Sequence, residues 1–252
     1  MLKTRIIPVL LFKRYGLVKG ISFDSWRRVG TSLPAVKVYC EREVDELVFL
    51  DIAATPEGRT VDVEEVDHLA DECFMPLTVG GGIRRPEDVR AILRAGAEKV
   101  SINTGALENP GLIDEVSRRY GRQCIVISID VKRHDDGRYE VFSHCGTQPT
   151  GRCPEEWARE AAERGGGEIL LTSIDRDGTM EGYDIALTRR VSDVVDIPVI
   201  AAGGAGSSEH ICQVLTEGGA NAAAAASIFH FTQQTPREAK QFLASRGIHV
   251  RL

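Results

Sequence analysis

Eight short β-rich runs alternating with helical segments, an internal repeat at half the chain, and a length of 252 residues predict an α/β fold, the (βα)8 TIM barrel. Such a barrel typically takes about 250 residues. The strands are expected near 5–12, 46–52, 76–80, 98–102, 123–130, 167–173, 197–202 and 220–226. Most are apolar almost throughout, as parallel strands covered on both faces must be. An open doubly wound sheet is the competing arrangement.

The first strand lies in R-I-I-P-V-L-L-F-K-R-Y-G at 5–16, where the apolar run stops abruptly at basic residues and a glycine. Helices are punctuated by proline at the start and glycine past the end: Pro86 with Gly96, Pro110 with Gly121, Pro236 with Gly247, and Pro154 opening E-E-W-A-R-E-A-A-E-R. Two alternating arms in 131–145 flank Asp136-Gly137, predicting a small two-residue β-hairpin inserted after the fifth strand. E-L-V-F-L-D at 46–51 resembles E-I-L-L-T-S at 168–173, and V-G-G-G at 79–82 resembles A-G-G-A at 202–205, an offset of about 122 residues. Two similar (βα)4 halves closing into one barrel explain that offset, and no linker divides the chain, so residues 1–252 are expected to form a single domain.

A hydrophobic content of 42% and a charged content of 27% are globular values. A net charge of −6 gives no reason to expect nucleic acid or membrane as partner. The six cysteines contain no C-x-x-C pair and read as reduced thiols; with no signal-like segment, the cytoplasm is the expected location. Neither a metal nor a cofactor is indicated.

Ligand sites of such barrels lie at the C-terminal strand ends. Gly80-Gly81-Gly82 follows strand three and Gly203-Gly204 follows strand seven, each able to bring backbone N–H groups close to a phosphate, although a tight turn needs glycine in any case. Asn103 and Thr104 after strand four, and Ala226 and Ser227 after strand eight, stand beside those turns; the same polar groups are also ordinary helix caps. Two phosphate sites, one per half, would suit a phosphorylated small-molecule ligand spanning the mouth. Asp51, Asp130, Asp175 and Asp177 end strands two, five and six and are candidate acids or bases, with hydrogen bonding to loop amides as the alternative. None of the six histidines falls on a strand end, and most are expected at the surface. At the opposite ends, Arg5, Glu46, Lys99 and Glu168 start strands one, two, four and six; pointing inward they must pair, forming a plug at the barrel floor.

Taken with R-I-I-P, D-E-L-V-F-L-D, T-V-G-G-G-I, K-V-S-I-N-T, G-E-I-L-L-T-S-I-D-R-D-G-T, G-G-A-G and the closing H-V-R, these residues resemble the HisF family, the cyclase subunit of imidazole glycerol phosphate synthase in histidine biosynthesis. The resemblance implies a lyase-type synthase subunit that takes ammonia from a HisH-like glutaminase docked on the N-terminal barrel face. In that reading Arg5, Glu46, Lys99 and Glu168 are the charged ammonia gate. Lys19 in a flexible first loop, Gly81, Gly82, Asn103, Thr104, Thr172, Gly203, Gly204, Ala226 and Ser227 hold the substrate and its phosphates. Two aspartates serve as acid and base; Asp130 matches the second. The first belongs in a C-L-D-V-K segment, which here reads Val9-Leu10-Leu11-Phe12-Lys13, so Leu11 stands in place of a carboxylate and Asp177 would have to substitute. Gly30-Thr31 and Ala202 are milder departures.

M-L-K-T-R-I-I-P-V-L-L, E-C-F-M-P-L and D-G-T-M-E-G-Y-D also resemble HisF-like paralogs associated with amidation of surface sugars, in which leucine at this position is usual. That likeness implies an ammonia-handling role in modifying a lipopolysaccharide precursor, alongside a separate ATP-dependent sugar amidotransferase. A histidine-pathway cyclase and a non-catalytic scaffold that activates the glutaminase are the alternatives.

Overall fold

The computed structural model of the protein describes residues 3–14 and 16–252. The chain opens with β1 (Arg5–Lys13), β2 (Gly16–Ile21), β3 (Asp24–Gly30) and α1 (Ser32–Glu41), then alternates through β4 (Leu47–Asp51), α2 (Val63–Ala70), β5 (Leu77–Gly80), α3 (Pro86–Arg94) and β6 (Lys99–Ile102). After α4 (Thr104–Glu108) and α5 (Gly111–Tyr120) come β7 (Ile125–Arg133), β8 (Tyr139–Ser143), β9 (Gln148–Pro149) and α6 (Pro154–Glu163). The remainder is β10 (Glu168–Ser173), α7 (Ile185–Ser192), β11 (Val199–Ala202), α8 (Ser208–Thr216), β12 (Ala222–Ala225), α9 (Ser227–Phe231) and α10 (Pro236–Ser245).

Parallel pairing runs β1-β4-β5-β6-β7-β10-β11-β12 and returns from β12 to β1, closing a (βα)8 TIM barrel. The alternation of each strand sorts its side chains. Ile6 and Leu10 face outward into the helix-covered core with Phe49, Ile127 and Leu171, while Ile7, Val48, Val126, Leu170 and Ile200 pack inside the barrel with Ala222 and Ala224. Helix starts follow their sequence signals. Asp62 and Asp184 cap α2 and α7 by accepting from Glu64 N and Leu187 N, and the Thr235–Glu238 pair makes a reciprocal capping box ahead of Pro236.

Two departures from the sequence reading lie at the mouth. Residues 16–30 are not a loop without regular structure: β2 and β3 form an antiparallel hairpin turned by Ser22-Phe23, both in the left-handed region at φ 49° and 61°. It is seated by Ser22 N donating to Asp177 O at 2.8 Å, by Gly178 packed on the Gly20 carbonyl, and by the Arg27 guanidinium 3.8 Å above the Phe231 ring. The hairpin after strand five is present, but its first arm is β7 itself, running on past the barrel. Its turn is wider than two residues, because Arg133 pairs with Tyr139 and His134 N bonds Arg138 O.

Candidate functional site

At the floor, Arg5 Nη1 lies 2.7 Å from Glu46 and 3.0 Å from Glu168, and Lys99 Nζ lies 3.0 Å from both carboxylates. The four side chains alternate in sign around the barrel axis and close a ring, with the Thr78 hydroxyl donating to Glu46 at 2.8 Å. Burial works against the charge on Arg5, but Glu168 and Glu46 outweigh it and its pKa is raised. A second buried pair lies nearby: Lys240 Nζ meets Asp45 at 3.2 Å, and Asp45 accepts from Ile6 N, tying α10 beneath β1. Directly above the ring sits the apolar layer of Ile7, Val48, Val126 and Leu170.

At the mouth, a cavity of about 830 Å³ is walled by Leu11, Lys19, Asp130, Thr172, Asp177, Gly203, Gly204, Ala226 and Ser227. A second of about 550 Å³ is walled by Asp51, Gly81, Gly82, Asn103 and Thr104. Leu50, Ile52, Ser128, Asp130 and Cys145 border both, so the two are lobes of one mouth with Asp130 between them. The predicted phosphate turns therefore do meet in one space.

The aspartates separate by environment. Asp51 is held by Arg59, whose Nη1 donates at 2.5 Å, and by Ala53 N at 3.0 Å, so it fastens its own loop. Asp175 accepts from Arg133 N at 2.7 Å and lines a groove with His134 and Arg176 outside the mouth. Asp130 is buried beside Thr172, its register partner on β10, and accepts from Asn103 Nδ2 at 2.9 Å. Burial pushes its pKa up to about 7; the charge of Asp177 adds to this, against the Thr172 and Ser128 hydroxyls that hold it down. It therefore exchanges a proton near neutral pH. Asp177 binds Lys19 Nζ through Oδ1 at 2.7 Å, while its Oδ2, also buried, has no hydrogen-bond partner among the described residues. The Ser227 hydroxyl is likewise buried and without a partner.

The glycines answer to packing. A Cβ at Gly82 would stand 1.8 Å from Arg59 O, and one at Gly204 2.1 Å from Gly182 O, so backbone crowding alone requires glycine there. What points to a ligand is the bare Ser227 hydroxyl on the cavity wall. At the other lobe Thr104 Oγ1 already accepts from His144 N, and Asn103 is committed to Asp130.

Leu11 pairs in register with Val18 and Leu50 and lines the cavity, so the β1 end presents a hydrocarbon surface with no proton to exchange. Phe23 and Trp26, from the hairpin, extend that apolar wall, and no signal in the sequence marks them because the hairpin itself carries none. Cys145, a reduced thiol by its sequence spacing, stands between the lobes, where burial and then Asp130 and Asp51 push its pKa up to about 12, leaving a neutral thiol. Ser128 could have been found from its place two residues before Asp130 on the same strand face. The histidines correct the surface expectation: His68 and His249 are exposed, but His134, His144, His210 and His230 are half-buried.

No helix is long and apolar enough to cross a membrane, and no cluster of metal-ligating side chains occurs, among the described residues. The family model described as histidine biosynthesis protein matches residues 5–235, spanning the ring, both mouth lobes and every barrel strand: the chain belongs to the histidine biosynthesis protein family.

Proposed function

We propose that this barrel is a HisF-like subunit that receives ammonia from a HisH-like glutaminase at its floor and delivers it to the mouth for amidation of a phosphorylated lipopolysaccharide or O-antigen sugar precursor. The observation that carries the reading is Leu11, an apolar side chain on the cavity wall that Asp130 shares. Cyclase chemistry of the imidazole glycerol phosphate type asks for two proton-exchanging groups, and loss of one typically costs about 10²–10⁴-fold. The floor ring and the apolar layer above it suit passage of neutral ammonia, because a charged ammonium would meet a dry hydrocarbon layer.

In amidation, a separate ATP-dependent amidotransferase activates the acetamido oxygen as a phosphate ester. Ammonia nitrogen then bonds the amide carbon, the oxygen leaves with the phosphate, and the protons shed by nitrogen need an acceptor. Asp130, with its pKa near 7, is suited to take one. A Ser227 hydroxyl without a partner and the neighbouring Gly203-Gly204 turn would seat the ligand's phosphate.

Supplying the bisphosphorylated histidine-pathway substrate with ammonium salt bypasses any glutaminase. Little turnover is expected, and Leu11→Asp is expected to raise it. Turnover by the unaltered chain at the level of an ordinary cyclase would overturn the sugar reading and favour the cyclase alternative, in which Asp177, with its unpartnered Oδ2, replaces the missing acid.

A further inference from the structure

The basic end of the first strand takes no part in the mouth. Lys13 and Arg14 line a groove of about 830 Å³ on the outer side of the β2–β3 hairpin, together with Arg28, Trp26, Gly16 and Val18. Three cations meet there, and among the described residues no carboxylate lines the groove. The carboxylate nearest Arg14 is that of Glu57 at 3.5 Å, in a pair whose arginine is 71% exposed and therefore weakly held. On a chain of net charge −6 such a concentration of positive charge is not a consequence of composition.

The groove is shaped as well as charged. A Cβ on Gly16 would stand 2.8 Å from Arg28 Nε, so the bare backbone is what lets the guanidinium lie along it. Lys13 Nζ sits 5.6 Å above the Trp26 ring. That ring also lines the mouth cavity, making it the wall between the groove and the mouth. A lysine point charge beside arginine forks suits adjacent phosphate groups, which offer more oxygens than a single cation can satisfy.

We propose that this groove captures the diphosphate of a carrier-linked sugar, leaving the sugar to pass Trp26 into the mouth. The identity of the sugar end rests on the amidation reading, but diphosphate capture does not. Within the mouth, Asp177 Oδ2 is placed to accept from a sugar hydroxyl. Nucleotide and lipid carriers share the diphosphate, and the groove recognises that shared part.

The test is equilibrium binding of inorganic pyrophosphate, uridine diphosphate and farnesyl diphosphate to the intact protein, read by calorimetry and by Trp26 fluorescence; the other tryptophan, Trp157, is fully buried in α6 and supplies a constant background. All three are expected to bind competitively, more weakly at high salt. The double variant Lys13→Glu/Arg14→Glu is expected to weaken each by at least about tenfold, whereas Thr235→Ala, at the start of α10, leaves them unchanged. Tighter binding of uridine diphosphate assigns a nucleotide carrier, and tighter binding of farnesyl diphosphate a lipid one. No binding of any probe, or indifference to the charge reversal, would overturn the proposal. Because the readout involves neither ammonia nor turnover, it stands or falls separately from the amidation reading.

Discussion

The two ends of the barrel treat charge in opposite ways. At the floor every member of the Arg5–Glu46–Lys99–Glu168 ring has two partners of opposite sign, and Glu46 is 2% exposed. At the mouth, Asp130 is buried with only neutral donors, Asp177 keeps one oxygen bare, and Ser227 keeps its hydroxyl bare. A ring whose charges are satisfied is a structural closure. Groups buried on a cavity wall without a charged partner are the ones whose environment shifts their protonation and leaves an atom facing the cavity.

The largest expected effect breaks the floor. Glu46→Ala leaves Arg5 and Lys99 with Glu168 alone and should cost about 3–5 kcal/mol of stability, the usual penalty for removing one partner of a buried pair; chemical denaturation measures it. Next comes the Lys19–Asp177 contact, which is buried but joins the hairpin to the mouth rather than strand to strand. Lys19→Met is expected to release the hairpin, read as faster proteolysis within residues 16–30 with little change in the global unfolding midpoint. If the midpoint falls as far as in Glu46→Ala, the contrast between floor and mouth is lost.

Asp130 sharpens the comparison through pH. Its folded pKa of about 7 lies above the ordinary carboxylate value, so the folded state binds the extra proton more tightly. Stability from this group is full below the unfolded pKa and declines as pH rises through about 7. Asp130→Asn should remove that decline, making the variant the more stable form at pH 8 while abolishing proton exchange; parallel denaturation at acid and alkaline pH tests it. The smallest effect lies away from both ends: Thr235→Ala removes the α10 capping box at a cost of about 1 kcal/mol and should leave mouth and ring unaffected.

Much of this was legible because barrel strands and their helices carry local signals. Apolar runs, proline starts and glycine stops located the alternating elements, and the half-length repeat implied closure. The first hairpin escaped for a physical reason. Its turn uses Ser22-Phe23 at positive φ without the Asn-Gly or Asp-Gly marker, its register slips between Lys19 and Ile21, and β3 is mostly exposed, so no clean alternation survives. With it went Phe23, Trp26 and the burial of Lys19.

Which residues stand at the strand ends is legible along the chain: four alternating charges at the starts, carboxylates and glycine turns at the finishes, and leucine at position 11. Their chemistry comes from packing. Asp51 and Asp130 are equivalent in the chain, each ending an apolar strand. Asp51 acquires Arg59 from its own loop, whereas Asp130 meets the neutral donors Asn103, just past β6, and Thr172 on β10, and desolvation without a cation, with the charge of Asp177 adding to it, raises its pKa. Which carboxylate meets a cation depends on how neighbouring strands and loops pack, and that is not written in the spacing of either one.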